Sequence, residues 1–195
     1  NEIVRATQRI KYEEAFILLA LMRQRKSQAK SAIAHARSGS DGVALTEFDE
    51  SLPFELTQGQ REVGKEISQD LARSIPMTRL LQGDVGSGKT IVSIRAMLDV
   101  ISSGGQVALL APTEVLAVQH LESLQRFLKG VTSRVIRVDL LTGAMAVAKR
   151  RQVLLDAQSG DLDILIGTHA LLEEKVQFFD LGLIVIDEQH RFGVE

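Results

Sequence analysis

Beyond Pro53 the sequence alternates between short apolar runs and longer stretches whose apolar positions recur every three or four residues. That alternation predicts βα units wound into a parallel sheet. Thr57 opens a helix in which Val63, Ile67 and Leu71 share one face, and Pro76 closes the segment. Leu80 and Leu81 are expected to end a short strand, followed by a glycine-rich loop and a helix from Lys89 to about Ser102 that Gly104 and Gly105 stop. Residues 106–111 read as the next strand and 114–128 as the next helix. Residues 134–141 alternate apolar and charged positions, as in a more exposed strand; 144–159 is expected to be helical and 163–166 a strand. Residues 183–186 are unbroken apolar, which predicts a central strand covered on both faces.

The first fifty residues have a different character. From Ile10 to Arg37 there is no Gly or Pro, and an apolar first half (Phe16, Ile17, Leu19, Leu21) gives way to Arg23, Arg25 and Lys26. The pattern predicts a long N-terminal helix with a basic second half. Eight Lys/Arg face three Asp/Glu across residues 1–37; such a run can touch phosphates, although a solvated helical face is its commoner cause. Residues 38–42 (Ser-Gly-Ser-Asp-Gly) break the composition like a linker. The expected division is therefore a linker helix and loop over 1–50 and one α/β domain over 51–195.

Composition narrows the function classes only slightly. The chain has 195 residues, 45% hydrophobic and 25% charged, with a formal net charge of −2. That length suits one buried domain with an appendage and is short for two motor lobes. A near-neutral balance neither points to a nucleic-acid partner nor excludes one, because a basic groove can sit in a neutral protein. With no cysteine, disulfides and thiolate metal sites are excluded. No apolar run approaches a membrane span, no membrane partner is expected, and the chain reads as cytoplasmic.

The strongest chemical signal is Gly83-Asp84-Val85-Gly86-Ser87-Gly88-Lys89-Thr90, which fits GxxxxGK[ST] between an expected strand and an expected helix. Glycines let such a loop wrap phosphates with backbone N–H groups, and the helix N-terminus adds partial positive charge. Lys89 would reach the β- and γ-phosphates of ATP, and Thr90 would ligate Mg²⁺. A P-loop also needs a carboxylate to hold the metal through water and a group to activate the attacking water. Asp187 and Glu188 supply both, directly after an apolar run, where ligands of open α/β sheets bind. Alone, an Asp-Glu pair is most often a surface turn; downstream of a P-loop in a βα chain it reads as the metal holder Asp187 and the water-activating Glu188.

These residues carry a family resemblance. Asp187-Glu188-Gln189-His190 resembles a DExH helicase motif II, and its continuation Arg191-Phe192-Gly193-Val194-Glu195 resembles the RecG family of superfamily 2 DNA helicases, as does Arg79-Leu80-Leu81-Gln82 running into the P-loop. The resemblance extends from about Pro53 to the end. It implies a P-loop RecA-like α/β domain with helices on both faces of a parallel sheet, preceded by the long N-terminal helix. It further implies Phe54 and Gln60 at the adenine, although Thr57 and Gln60 also have capping-box spacing, in which case Gln60 only closes a helix end. Pro112 and Thr113, Thr142 and Gly143, and Thr168 and His169 resemble strand-end motifs that touch DNA backbone; as isolated pairs they would be ordinary helix caps. Gln119 and His120 accompany the first of these, with His120 itself expected on the surface or in packing. Gln189 and His190 are implied to couple the ATP site to DNA or to a second lobe.

The implied activity is ATP-dependent remodelling of branched double-stranded DNA, meaning fork regression and Holliday-junction processing. The chain would be the ATP-binding half, with a second RecA-like lobe, a wedge domain and part of the first lobe lying elsewhere, and would not unwind DNA alone. Two other classes compete. A transporter-type ATPase would need a signature or membrane-docking segment that the sequence does not show. A nucleotide-dependent binding module would keep the P-loop but has no use for the carboxylate pair.

Overall fold

The computed structural model describes residues 33–38 and 42–188. Five helices, α1 (Val43–Ser51), α2 (Gln58–Leu71), α3 (Lys89–Ser102), α4 (Glu114–Leu128) and α5 (Val147–Ser159), surround four strands, β1 (Gln106–Leu110), β2 (Val138–Leu141), β3 (Ile164–Gly167) and β4 (Leu181–Ile186). The strands form one sheet in the order β2-β3-β1-β4, and every pairing is parallel. A short 3₁₀ turn, His169–Leu172, follows β3.

Alternation along the strands divides the core into two layers. Val107, Leu109, Ile164 and Ile166 face α3 and α4, together with Phe48 of α1 and Ile67 and Leu71 of α2. Ala108, Leu110, Leu141 and Leu165 face Val153 and Ala157 of α5 and Ala170 and Leu171 of the 3₁₀ turn. Because β1 and β3 are covered on both sides, every residue of both is buried, and a continuous apolar run is the sequence consequence. Helix α3 is buried nearly all round, from Ile91 to Ile101.

Several sequence expectations change here. The helix expected over residues 10–37 lies largely outside the described residues, and its last part, 33–37, is not helical. That segment is extended instead: the Ala34 N–H donates to Ser74 O and the Arg37 N–H to Leu71 O. The strand expected at Leu80 and Leu81 pairs with no other strand among the described residues. Leu80 is exposed accordingly. The strand expected over 134–141 shortens to β2, since Arg134 and Arg137 turn toward Asp161 and Asp163. The helix expected from 144 begins at Val147.

The apolar run at 183–186 is not a central strand: β4 is at the edge of the described sheet, with Ile184 and Ile186 about half exposed. Periodicity reports hydrophobicity, whereas sheet position depends on which strands find partners. Residues 43–51 are too short for a clear helical period, yet they form α1 and bury Ala44 and Phe48 in the main core.

Polar ties hold the layers in place. The Arg37 guanidinium is buried, forms a two-pronged ion pair with Asp180, and holds that carboxyl below the usual carboxylate range. It fits because Gly105 and Gly182 carry no side chain: a Cβ on either would lie 2.9 or 3.0 Å from it. Ser68 of α2 donates to Asp99 of α3, whose pKa is raised chiefly by burial, and Arg95 of α3 pairs with Asp49 of α1. Glu47 of α1 accepts from the backbone N–H groups of Thr132 and Ser133, each at 2.9 Å, and from the Thr132 hydroxyl at 2.8 Å. Those bonds lower its pKa to about 2.

Two outcomes follow from α1 being part of the core. Phe48→Ala, at a site with no exposure, should cost about 3–5 kcal/mol in urea unfolding; a loss below about 1 kcal/mol would show that α1 is only loosely attached. Glu47→Gln removes an acceptor whose folded pKa is depressed, so its contribution is complete above the unfolded value of about 4.3 and fades as pH falls toward the folded one. The gap in urea midpoint between wild type and variant should be constant from pH 7 to about pH 5 and narrow only below about pH 4.

Candidate functional site

In a parallel sheet all strands end on the same edge, and the register here aligns those ends closely. Leu110 of β1 lies opposite both Gly167 of β3 and Ile186 of β4, and Leu141 of β2 lies opposite Gly167. The residues that follow are therefore laid out side by side as Thr142, Thr168, Ala111-Pro112-Thr113 and Asp187. Three inter-strand spacings separate the ends of this row, roughly 14 Å. The Asp187 N–H donates to Leu110 O and the Ala111 N–H to Gly167 O, both at 2.9 Å, extending the ladder into the row itself.

The P-loop joins this edge through α3. At the helix's far end Val100 packs on Gly105 and Gly182, where an added Cβ would meet Val100 at 2.9 and 2.6 Å. Gly182 is near the start of β4, so α3 runs antiparallel to β4. From Val100 back to Lys89 the helix rises roughly 16 Å, and from Gly182 to Asp187 the strand advances roughly the same. Lys89 and Asp187 thus come level at one end of the domain.

The loop itself is shaped for an anion. Gly86 and Gly88 have φ of 81° and 82°, in the left-handed region. Gly88 is doubly constrained, because a Cβ there would lie 2.3 Å from Gln60 Nε2. No side chain caps the N-terminus of α3, which leaves the helix end suited to phosphate oxygens. The Lys89 ammonium donates to the carbonyls of Gly83 and Asp84 at 2.7 and 2.8 Å, drawing the charged group across the loop. Thr90 is exposed at the first turn, and Val85 at the loop tip is fully exposed.

Gln60 fulfils the capping alternative and does more. Its Oε1 accepts from the Thr57 N–H at 2.9 Å while Thr57 Oγ1 accepts from the Gln60 N–H, a complete capping box. Its Nε2 donates to Ser87 O at 2.9 Å, so α2 is tied directly to the P-loop. Both polar atoms of the amide are engaged with protein. Phe54 lies upstream, about half exposed.

The strand-end threonines differ from one another. Thr113 is exposed, and its hydroxyl caps α4 by accepting from the Leu116 N–H at 3.3 Å. Thr142 is buried, while the N–H of exposed Gly143 donates to Glu114 Oε1 at 2.9 Å, joining this turn to the start of α4. Thr168 is half-buried and His169 exposed. Pro112 is half-buried. Glu188 follows Asp187 with φ 51°, a left-handed conformation uncommon outside glycine. Gln189 and His190 lie outside the described residues.

One contact escapes the sequence reading. His120 Nε2 lies 2.8 Å from Asp187 Oδ2, with the two side chains 19% and 36% exposed. A histidine expected on the surface or in packing is bonded to the candidate metal carboxylate. The signal was present in the helix period: position 120 is three residues past buried Ala117 and four before buried Leu124, hence on the inward face of α4.

These features fit a nucleotide carrying a divalent cation. The cradle has its glycines, its lysine and an uncapped helix end. No group of three or more His, Cys, Asp or Glu among the described residues could hold a metal ion. Among the described residues no helix is long and apolar enough to cross a membrane.

Comparison with known proteins places this arrangement. The DEAD/DEAH box helicase profile matches residues 57–195. The chain is 48% identical over 98% of its length to the ATP-dependent DNA helicase RecG of Mycobacterium tuberculosis, of which it covers 27%. It is 43% identical over 98% of its length to that of Thermotoga maritima, of which it covers 24%. The chain thus spans about a quarter of the length of these relatives. A solved structure of RecG bound to a three-way DNA junction superposes with a TM-score of 0.83 and 40% identity over 94% of this chain and 25% of that one. The helicase MrfA, at 20% identity and a TM-score of 0.62, shares the fold. With the expected RecA-like α/β architecture in place and the family profile matched over most of its length, the chain belongs to the DEAD/DEAH box helicase family.

Proposed function

We propose that this chain is the ATP-binding lobe of a RecG-type DNA helicase, with residues 51–195 in the first RecA-like lobe and the second lobe and wedge domain supplied by the rest of a full-length protein. The observation that carries the reading is the single edge on which the P-loop helix, Asp187 and the threonine row meet. ATP use follows from the family; Mg²⁺ as its companion, branched DNA as substrate and the cytoplasm as its place are parts of the proposal.

Bound ATP·Mg²⁺ supplies a phosphoanhydride whose cleavage releases free energy. The protein's part is to hold and orient it. The P-loop N–H groups and the α3 N-terminus would receive the phosphates, with Lys89 free to trade its loop carbonyls for phosphate oxygens. Thr90 and Asp187 would hold the cation. Glu188 orients the attacking water, and its left-handed backbone sets it apart from the line of β4. Phe54 borders the base; an adenine contact from Gln60 requires its amide to trade one of its two protein bonds. Along the same edge Pro112, Thr113, Gly143, Thr168 and His169 would touch sugar-phosphate backbone, which gives binding without sequence preference. Thr142 is buried, so in its turn the contact falls to Gly143. Gln189 and His190, implied by the resemblance, would couple the ATP site to DNA or to the second lobe. Similarity to proteins named ATP-dependent DNA helicase RecG, and to one solved on a three-way junction, supports branched duplex DNA as the substrate.

The test uses the full-length protein. Lys89→Ala should abolish nucleotide binding and DNA-stimulated ATP hydrolysis, and equal binding and turnover in the variant would remove the P-loop assignment. Glu188→Gln should keep Mg²⁺-dependent ATP binding and lose turnover by roughly 10²–10⁴-fold. Asp187→Asn should instead weaken the Mg²⁺-dependent part of binding. Identical defects in both variants across a Mg²⁺ titration would contradict the division of roles.

A further inference from the structure

We infer that His120 is a positioning residue that holds the Asp187 carboxylate from helix α4, so that one rigid element links the proposed DNA-contacting edge to the proposed metal carboxylate. The inference rests on the functional reading above and adds to it a specific route between its two ligands.

The geometry begins with the bond. A carboxylate can only accept, so the 2.8 Å contact requires the proton on Nε2 of His120. It engages Oδ2 and leaves Oδ1 of Asp187 as the oxygen for a cation or its water. The Asp187 backbone is held separately, by its N–H to Leu110 O at 2.9 Å. With the main chain anchored to β1, the remaining freedom of the carboxylate is rotation of its side chain. His120 removes that freedom, and the cost of losing such a partner appears in metal affinity rather than in folding.

The second half of the argument is where α4 starts. Thr113 caps it, and Glu114 in its first turn accepts from the Gly143 N–H at 2.9 Å. Those residues belong to the turns after β1 and β2, which flank the turn after β3 in the strand-end row. His120 is seven residues beyond Thr113, two helical turns and roughly 10 Å away, on the face that also carries buried Ala117 and Leu124. A helix packed by that face on the sheet moves as a unit. A ligand on Thr113 and Gly143 that shifts the start of α4 therefore shifts Nε2 of His120 relative to a carboxylate fixed to β1. Mg²⁺-dependent nucleotide binding and DNA binding become linked through one hydrogen bond, and linkage works equally in both directions.

The experiment measures binding of a fluorescent ATP analogue to the full-length protein as Mg²⁺ is titrated, with and without forked DNA, for wild type, His120→Ala, His120→Asn and His120→Gln. The Gln amide nitrogen reaches about as far as Nε2, whereas the Asn amide fills space but falls short. In wild type, forked DNA should change the Mg²⁺ half-saturation point. His120→Ala and His120→Asn should raise that point by about tenfold or more and remove its dependence on DNA, while affinity in EDTA stays as in wild type. His120→Gln should restore both properties. If His120→Ala does not fold, the contrast between Asn and Gln carries the same decision, since the two differ in reach. An unchanged Mg²⁺ dependence in His120→Asn overturns the positioning role; a raised half-saturation that still responds to DNA overturns the linkage. Wild type that shows no Mg²⁺-dependent nucleotide binding would overturn the functional reading, and this inference with it.

Discussion

Parallel pairing of β1 with both β3 and β4 is the constraint on which the rest of the molecule depends. Parallel strands need crossovers, crossovers cover both faces, and strands buried on both faces are apolar along their length, as β3 is and as β1 is from Val107 onward. The same geometry sends every strand end to one side. Thr142, Thr168, Thr113 and Asp187 are remote in sequence and become neighbours because four strands stop in register. An antiparallel sheet of the same residues would divide that row between two edges.

The opposite end of the sheet holds the register. Gln106 at the base of β1 donates to the carbonyls of Ala157 and Leu162 and accepts from the Asp180 N–H. Its own N–H donates to Asp180 O. Asp180 in turn holds Arg37, which enters from the N-terminal segment beneath Gly105 and Gly182. A buried amide with every polar atom used tolerates no slip, since sliding β4 by one residue would orphan several bonds. Polar groups at the base therefore help to fix where the candidate site residues stand at the top.

At the functional edge, single residues serve structure and chemistry together. Gln60 closes α2 and clamps Ser87, Thr113 caps α4 at the proposed DNA face, and Glu114 ties the turn after β2 to the start of α4. The choice between cap and contact, which the sequence leaves open, is thus not exclusive. A hydroxyl or amide that orders the backbone of a binding loop also decides where that loop's N–H groups point.

Much was legible from residues alone. Helices α3 and α4 have the bounds that the sequence predicts, because glycine punctuation and a helical period are local properties. The acidic pair sits at a strand end because the apolar run directly before it is an equally local signal. What lay beyond local pattern was decided by tertiary pairing. Residues 183–186 announce burial but not sheet position, so β4 could be read as central when it stands at the edge of the described sheet. Leu80 and Leu81 have the composition of a strand and find no paired partner among the described residues. Helix α1 is too short to show a period, and only the space above the sheet reveals Phe48 as core. His120 was visible as a histidine on the inward face of a helix, yet its partner was 67 residues away. A sequence specifies which residues turn inward; which of them meet depends on the stacking of strands, a long-range choice made by hydrogen-bond register and packing.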